Sequence, residues 1–292
     1  MGEIVGAAVL AHVPTIVLPD EVRLELNEGR ESTLYTGMHA VRREVLDVLR
    51  PDLVIVFDSH WFTTVEFCIA AQARREGHFT SDELPRGMAA VPYGFDGDPA
   101  FAFAVAAAAG DVDDCWVTAI DDPYLPIHYP TVNLLGFLQG DERWVSVSVA
   151  QTGETPDFLA VGECVARAVA GMDRRVFLVA SGALSHTFWP LRQVRAHEAS
   201  GEEHIFSKEA AAADHGILDA WSRGDHASVI DSMPEFLKFR PEARFGHYLM
   251  LAAAIGGRRC TAVGRQFSDY ENSIGTGQVH VVFDRPAAGW AP

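Results

Sequence analysis

Residues 53–62 read LVIVFDSHWF. Four aliphatic residues and Phe57 form a run apolar enough to be covered on both sides, as in a central strand of an α/β sheet. The run ends on Asp58, Ser59, His60 and Trp61, a titratable cluster at the point where the chain is expected to turn away.

Working outward, the preceding segment TGMHAVRREVLDVLR carries Met38, Val41, Val45, Leu46 and Leu49 on one helical face and should end before Pro51. Upstream of it, EIVGAAVLAH is another strand-like run. Downstream, CIAAQA, WVTAID, WVSVSVA, VFLVASG and VHVVFD read as further strands. They alternate with helices expected at about 99–109, 155–171, 200–223 and 243–256. The alternation predicts an α/β fold, a single domain over 1–292 with a central mixed β-sheet flanked by helices. Residues 74–98 are rich in Gly, Pro and Asp without periodicity and are expected to form a long functional loop.

Composition narrows the function. The chain has 292 residues, is 48% hydrophobic and carries a net charge of −17, which would repel nucleic-acid phosphates and anionic lipid surfaces. Cys68, Cys115, Cys164 and Cys260 never adopt a CxxC spacing, so neither a zinc knuckle nor a disulfide framework is indicated, and buried thiols in a reducing cytoplasm are expected. The apolar start IVGAAVLAHVP lacks the flanks of a signal peptide, and AFAFAVAAAAG is too short to span a bilayer. No membrane or nucleic-acid partner is expected.

Three histidines share one position relative to their strands: His12 after GAAVLA, His60 after LVIVFDS and His186 after VFLVASGALS. Strand ends of an open α/β sheet gather at one rim, where ligands bind, so the three can converge. Ser185 next to His186 lacks a G-x-S-x-G elbow, and neither a P-loop nor a dinucleotide fingerprint occurs, which argues against serine-hydrolase and nucleotide chemistry. A metal site fits better: two imidazoles and a carboxylate leave positions open for substrate and O₂. Spacing alone does not choose among Asp58, Asp121, Asp122 and Glu242 for that carboxylate, and Asp58 is placed as well to orient His60.

The ordered set AHVPT (11–15), VFDSHW (56–61), TSDELP (80–85), ASGALSH (180–186), RPEARFGHYLM (240–250) and GTGQVHVVF (275–283) resembles the class III extradiol ring-cleavage dioxygenases of the protocatechuate 4,5-dioxygenase catalytic-subunit superfamily. It is most similar to the branch acting on 3,4-dihydroxyphenylacetate. The resemblance implies Fe(II) held by His12, His60 and Glu242, with His186 as acid/base residue and His128, in LPIHYPTVNLL, as a second active-site histidine. Relatives of that branch can carry an acidic residue at the latter position, a departure that bears on the substrate. Tyr129, Arg244 and His247 are expected contacts to the ring or to a substrate carboxylate, for which arginine's planar donor fork is suited. The implied partners are a small aromatic substrate and O₂, in a cytoplasmic homo-oligomer. The alternatives are cleavage of a 2-aminophenol, or a non-catalytic metal-binding protein on the same fold.

Overall fold

A computed structural model describes residues 2–84 and 87–291. The strands are β1 (Glu3–Leu10), β2 (Leu53–Thr63), β3 (Phe67–Ala70), β4 (Arg74–Phe79), β5 (Val91–Asp96), β6 (Val117–Ile120), β7 (Arg143–Ala150), β8 (Arg175–Ser181), β9 (Gly264–Gln266), β10 (Glu271–Ser273), β11 (Thr276–Gln278) and β12 (Val281–Asp284). The helices are α1 (Asp20–Leu26), α2 (Thr33–Val41), α3 (Asp47–Leu49), α4 (Pro99–Gly110), α5 (Tyr129–Leu138), α6 (Thr155–Ala170), α7 (Lys208–Ser222), α8 (His226–Asp231), α9 (Met233–Phe236) and α10 (Gly246–Ala254).

Eight strands form one mixed sheet in the order β6-β3-β7-β2-β8-β1-β12-β9. Its centre, β7-β2-β8-β1, is parallel, and β12 and β9 add antiparallel at one side. Successive residues of the central strands point to opposite faces, so each face has its own core. Ile55, Phe57 and Val9 pack with Phe101, Phe158 and Leu249 of α4, α6 and α10. Val54, Val56 and Leu10 pack with Met38, Leu134 and Leu138 of α2 and α5 on the other face. Among the described residues, no helix is long and apolar enough to cross a membrane.

Local sequence explains the helix starts. Glu154 and Asp157 form a reciprocal capping box ahead of α6, and Asp98 accepts a hydrogen bond from the Phe101 N–H at the start of α4. α6 then lies so close to α10 that a β-carbon at Gly162 would sit 2.1 Å from the Met250 carbonyl oxygen. α2 continues through a π-helical turn, Arg42–Leu46, into α3, and Arg50 takes a left-handed conformation before Pro51, ending the helix where expected.

Three expectations need correction. Residues 74–98 are not a long loop: β4 and β5 pair antiparallel from Arg74↔Asp96 to Phe79↔Val91. The expected helix over 200–223 begins at Lys208, where the Ser207 side chain caps it, and the one over 243–256 begins at Gly246. β2 does not stop at Asp58. Its register against β7 shifts between Phe57 and Phe62, so residues 58–61 bulge while the strand runs on to Thr63. A bulge of this kind re-aims side chains without ending the pairing.

Candidate metal centre

The parallel strands deliver their C-terminal ends to one rim. Ser181, last in β8, is in register with Leu10 on one side and Asp58 on the other, so His12 and the 58–61 bulge flank it. The Asp58 carboxylate is fully buried and accepts hydrogen bonds from the His60 and Trp61 amides and the Thr131 hydroxyl. It therefore fixes the backbone of the bulge and makes no bond to the His60 ring. Asp121 and Asp122, the other open choices for a ligand, are exposed on the turn after β6.

Glu242 comes from a distant segment that is pinned to the same rim. Pro241 bridges Ser185, and the Glu242 amide donates to the Leu184 carbonyl at 3.2 Å. Its carboxylate accepts from Ser59 Oγ at one oxygen and from the Ala183 amide at the other, both at 2.6 Å. The next three residues, Ala243, Arg244 and Phe245, all adopt left-handed conformations with φ of 48°, 56° and 62°. Such a run is strained for residues bearing a β-carbon. Phe245 anchors it, fully buried against Phe236, Trp221 and Tyr248.

His12, His60 and Glu242 offer one donor atom each, and these three atoms lie within 4.8 Å of one another. Glu242 Oε1 is 3.4 Å from His12 Nε2 and 3.0 Å from His60 Nε2. The second nitrogen of each ring is also engaged. His12 Nδ1 bonds Ser181 Oγ at 2.8 Å, and His60 Nδ1 faces Glu83 Oε1 at 3.3 Å. With a metal bound, a proton on each Nδ1 would leave both Nε2 lone pairs directed at the common point, the usual outer support of metal-binding histidines. Burial raises the energy of the Glu242 charge, yet His12 above all, with hydrogen bonds from His12 and His60, holds its carboxyl well below the ordinary range. Burial opposes a charge on His60 as well, but the bonds from Glu242 and Glu83 lift its pKa to about 10, so a metal binding there would displace the proton on Nε2. A buried carboxylate answered by neutral donors and imidazoles calls for a cation, and this donor set fits a divalent transition metal.

Around that point, His186 Nε2 stands 3.9 Å from Glu242 Oε2, and burial lowers the histidine's pKa, which favours the neutral ring. The Tyr129 hydroxyl lies 3.1 Å from His60 Nε2, and its ring packs edgewise on both His12 and His60. Burial raises the Tyr129 pKa and keeps the phenol protonated. His128 precedes α5 and stacks on Trp61, its pKa also lowered by burial.

Two expected ligand contacts are placed elsewhere. The left-handed turn leaves Arg244 exposed, with no side-chain hydrogen bond among the described residues. His247 is completely buried, so it has no surface with which to touch a ligand. Its ring fills the space beside Gly182, where a β-carbon would meet it at 2.6 Å. Sequence reasoning missed Glu83, Ser59 and Ser181 as supports of the ligands. Glu83 lay inside the quoted TSDELP segment, whose Pro85 falls outside the described residues.

With the geometry in place, comparisons with known proteins add a lineage. Residues 6–284 match the family model described as the catalytic LigB subunit of aromatic ring-opening dioxygenase. The chain is 26% identical to an Escherichia coli 3,4-dihydroxyphenylacetate 2,3-dioxygenase, over 88% of this chain and 91% of that protein. It is 23% identical to the 2-aminophenol 1,6-dioxygenase beta subunit of a Pseudomonas species, over 99% of this chain and 97% of that one. A crystal structure of an uncharacterized Escherichia coli K12 protein superposes with a TM-score of 0.61 at 15% identity, covering 95% of this chain and 99% of that one, a likeness of fold.

Proposed function

The chain belongs to the LigB family of aromatic ring-opening dioxygenases, and from that premise we propose that it opens the ring of a catechol resembling 3,4-dihydroxyphenylacetate, with Fe(II) held by His12, His60 and Glu242. The observation that carries the reading is the convergence of these three donors, with His186 Nε2 3.9 Å from Glu242 Oε2. Bound there, Fe(II) would supply a Lewis acid for the two ring hydroxyls and a route for electrons from the ring to O₂.

The chain's own groups account for the remaining steps. His186, neutral and poised beside Glu242, accepts a proton from a ring hydroxyl and returns it as acid when the O–O bond breaks. Tyr129, protonated, donates a hydrogen bond toward the reacting oxygens and walls one side of the site with its ring. His128 lies one residue before it and is suited to a substrate hydroxyl. Ser181 and Glu83 hold the two ligand imidazoles in the tautomer that keeps Nε2 free.

The relative matched over nearly the whole chain that acts on 2-aminophenol favours a second reading, in which ring N and O replace the two hydroxyls. Protein loaded with Fe(II) without oxygen and then given O₂ separates the two. Rapid O₂ uptake and a yellow ring-opened product with 3,4-dihydroxyphenylacetate support the first reading. Faster turnover of 2-aminophenol supports the second, and no O₂ uptake with any catechol or aminophenol defeats both. We further place the protein in the cytoplasm as an assembly of identical subunits, which light scattering on the purified chain and cell fractionation would check.

A further inference from the structure

Arg23 and Arg75 are the two buried arginines among the described residues, at 4% and 8% exposure. Arg23 is fully answered: it donates to both oxygens of Glu31, to Asp20 and to the Leu18 carbonyl. Arg75, on β4, makes a single side-chain hydrogen bond among the described residues, from one terminal nitrogen to the Leu125 carbonyl at 2.8 Å. Among the described residues its other N–H groups make no hydrogen bond. Among the described residues, no carboxylate forms an ion pair with it. The acidic groups that bear on it are Tyr93 and then Asp58, and Asp58 already accepts from His60, Trp61 and Thr131. A guanidinium taken from water without an anion is costly, and burial here works against its charge.

Its position joins it to the site. Leu125 precedes His128 on the same short segment, and Arg75 and His128 feel each other's charge. His128 is the N-cap residue of α5, a ten-residue helix with no side-chain cap and no acidic residue in its first turn. The start of α5, whose Tyr129 packs on the rings of His12 and His60, and the guanidinium thus meet through the 125–128 segment. We propose that Arg75 receives the anionic side group of the aromatic substrate, a carboxylate carried on a short arm from the ring, and so sets the preference for acidic catechols over uncharged rings. The inference rests on the catechol reading above and gives the carboxylate a different receiver from the exposed Arg244.

The test compares 3,4-dihydroxyphenylacetate with 4-methylcatechol, which keeps both hydroxyls and lacks the charge. In Arg75→Met, the ratio of kcat/KM for the acid over the methylcatechol falls by about tenfold or more, the scale expected of a charge-assisted bidentate contact. Arg75→Lys restores part of the ratio. Calorimetric titration of the oxygen-free, metal-loaded protein shows the same selective loss in binding of the acid. If Arg75 merely pins the Leu125 segment, both substrates decline together and the ratio holds, which overturns the proposal, as does a wild-type enzyme that prefers the methylcatechol. Should Arg75→Met fail to fold, the Arg75→Lys ratio and the titration decide. If the wild type cleaves neither catechol the functional reading fails instead, and selective binding of the acid still tests Arg75.

Discussion

The four central strands end in two very different places. At their N-terminal ends, Glu3, Asp52, Arg143 and Arg175, with Arg42, Glu142 and Arg174 around them, line a basin of about 1010 Å³. There the charges answer one another: Arg42 meets Glu142 at 2.5 Å, Arg174 meets Asp98 at 3.0 Å and Arg175 meets Glu3 at 3.8 Å. At the C-terminal ends Glu242, buried to 5% exposure, finds hydroxyl, amide and imidazole groups instead of a permanent cation. The basin's arginines are paired with carboxylates, whereas Glu242 has no fixed counter-charge, and ligand chemistry follows such unbalanced charge.

That contrast can be broken most severely at the ligands. His60→Ala should lower metal affinity by more than about 100-fold, the upper range for loss of a mere outer-shell partner, as read by metal content after desalting. His186→Ala should keep the metal while kcat falls by about 10²- to 10⁴-fold, the usual contribution of a positioned acid/base group. Equal metal loss in the two variants would contradict the separation of roles.

A smaller effect comes from His280, which supports the rim from behind. Its Nδ1 accepts from the Ala11 amide at 3.1 Å and its Nε2 donates to the Leu34 carbonyl at 2.9 Å, so the fold requires the neutral ring. Burial pushes its pKa down to about 4. A histidine lowered in this way contributes stability that is full above its unfolded value of about 6.5 and is lost as pH falls through its folded value. Between those limits, wild type should lose on the order of 3 kcal/mol more unfolding free energy than His280→Gln, whose amide does not titrate. Urea melts at stepped pH read this directly, and parallel curves would remove His280 as the cause. At the opposite end, Arg175→Gln breaks a partly exposed pair and should cost less than about 1 kcal/mol, with metal content and turnover unchanged.

Much of this arrangement was legible in residue order because the strands that build it are uninterrupted apolar runs closed by a histidine. β1, β2 and β8 are buried almost throughout, so hydrophobicity alone located them and the rim they share. The β4–β5 hairpin was not legible: burial alternates along β4, but its inward positions are Arg75, Gly77 and Phe79, of which only Phe79 is a large apolar residue. α5 was hidden for the opposite reason: eight of its ten residues are buried, which erases the helical period. Supports such as Ser181 for His12 and Ser59 for Glu242 join residues 169 and 183 positions apart, a relation that exists only once the sheet has formed. Arg244 looked well placed by its motif, but the backbone turn that aims Glu242 sends the arginine side chain outward.

The left-handed run Ala243-Arg244-Phe245 also bears on how this protein would respond to engineering. A consensus or thermostability screen would favour glycine at Ala243, since relieving a left-handed β-carbon commonly gains about 1 kcal/mol. The same change would loosen the residue adjoining Glu242 and widen the arc its carboxylate sweeps. Heat resistance and fidelity of ligand placement are therefore opposed at this position, and a variant selected for survival at high temperature would be expected to surrender turnover there first.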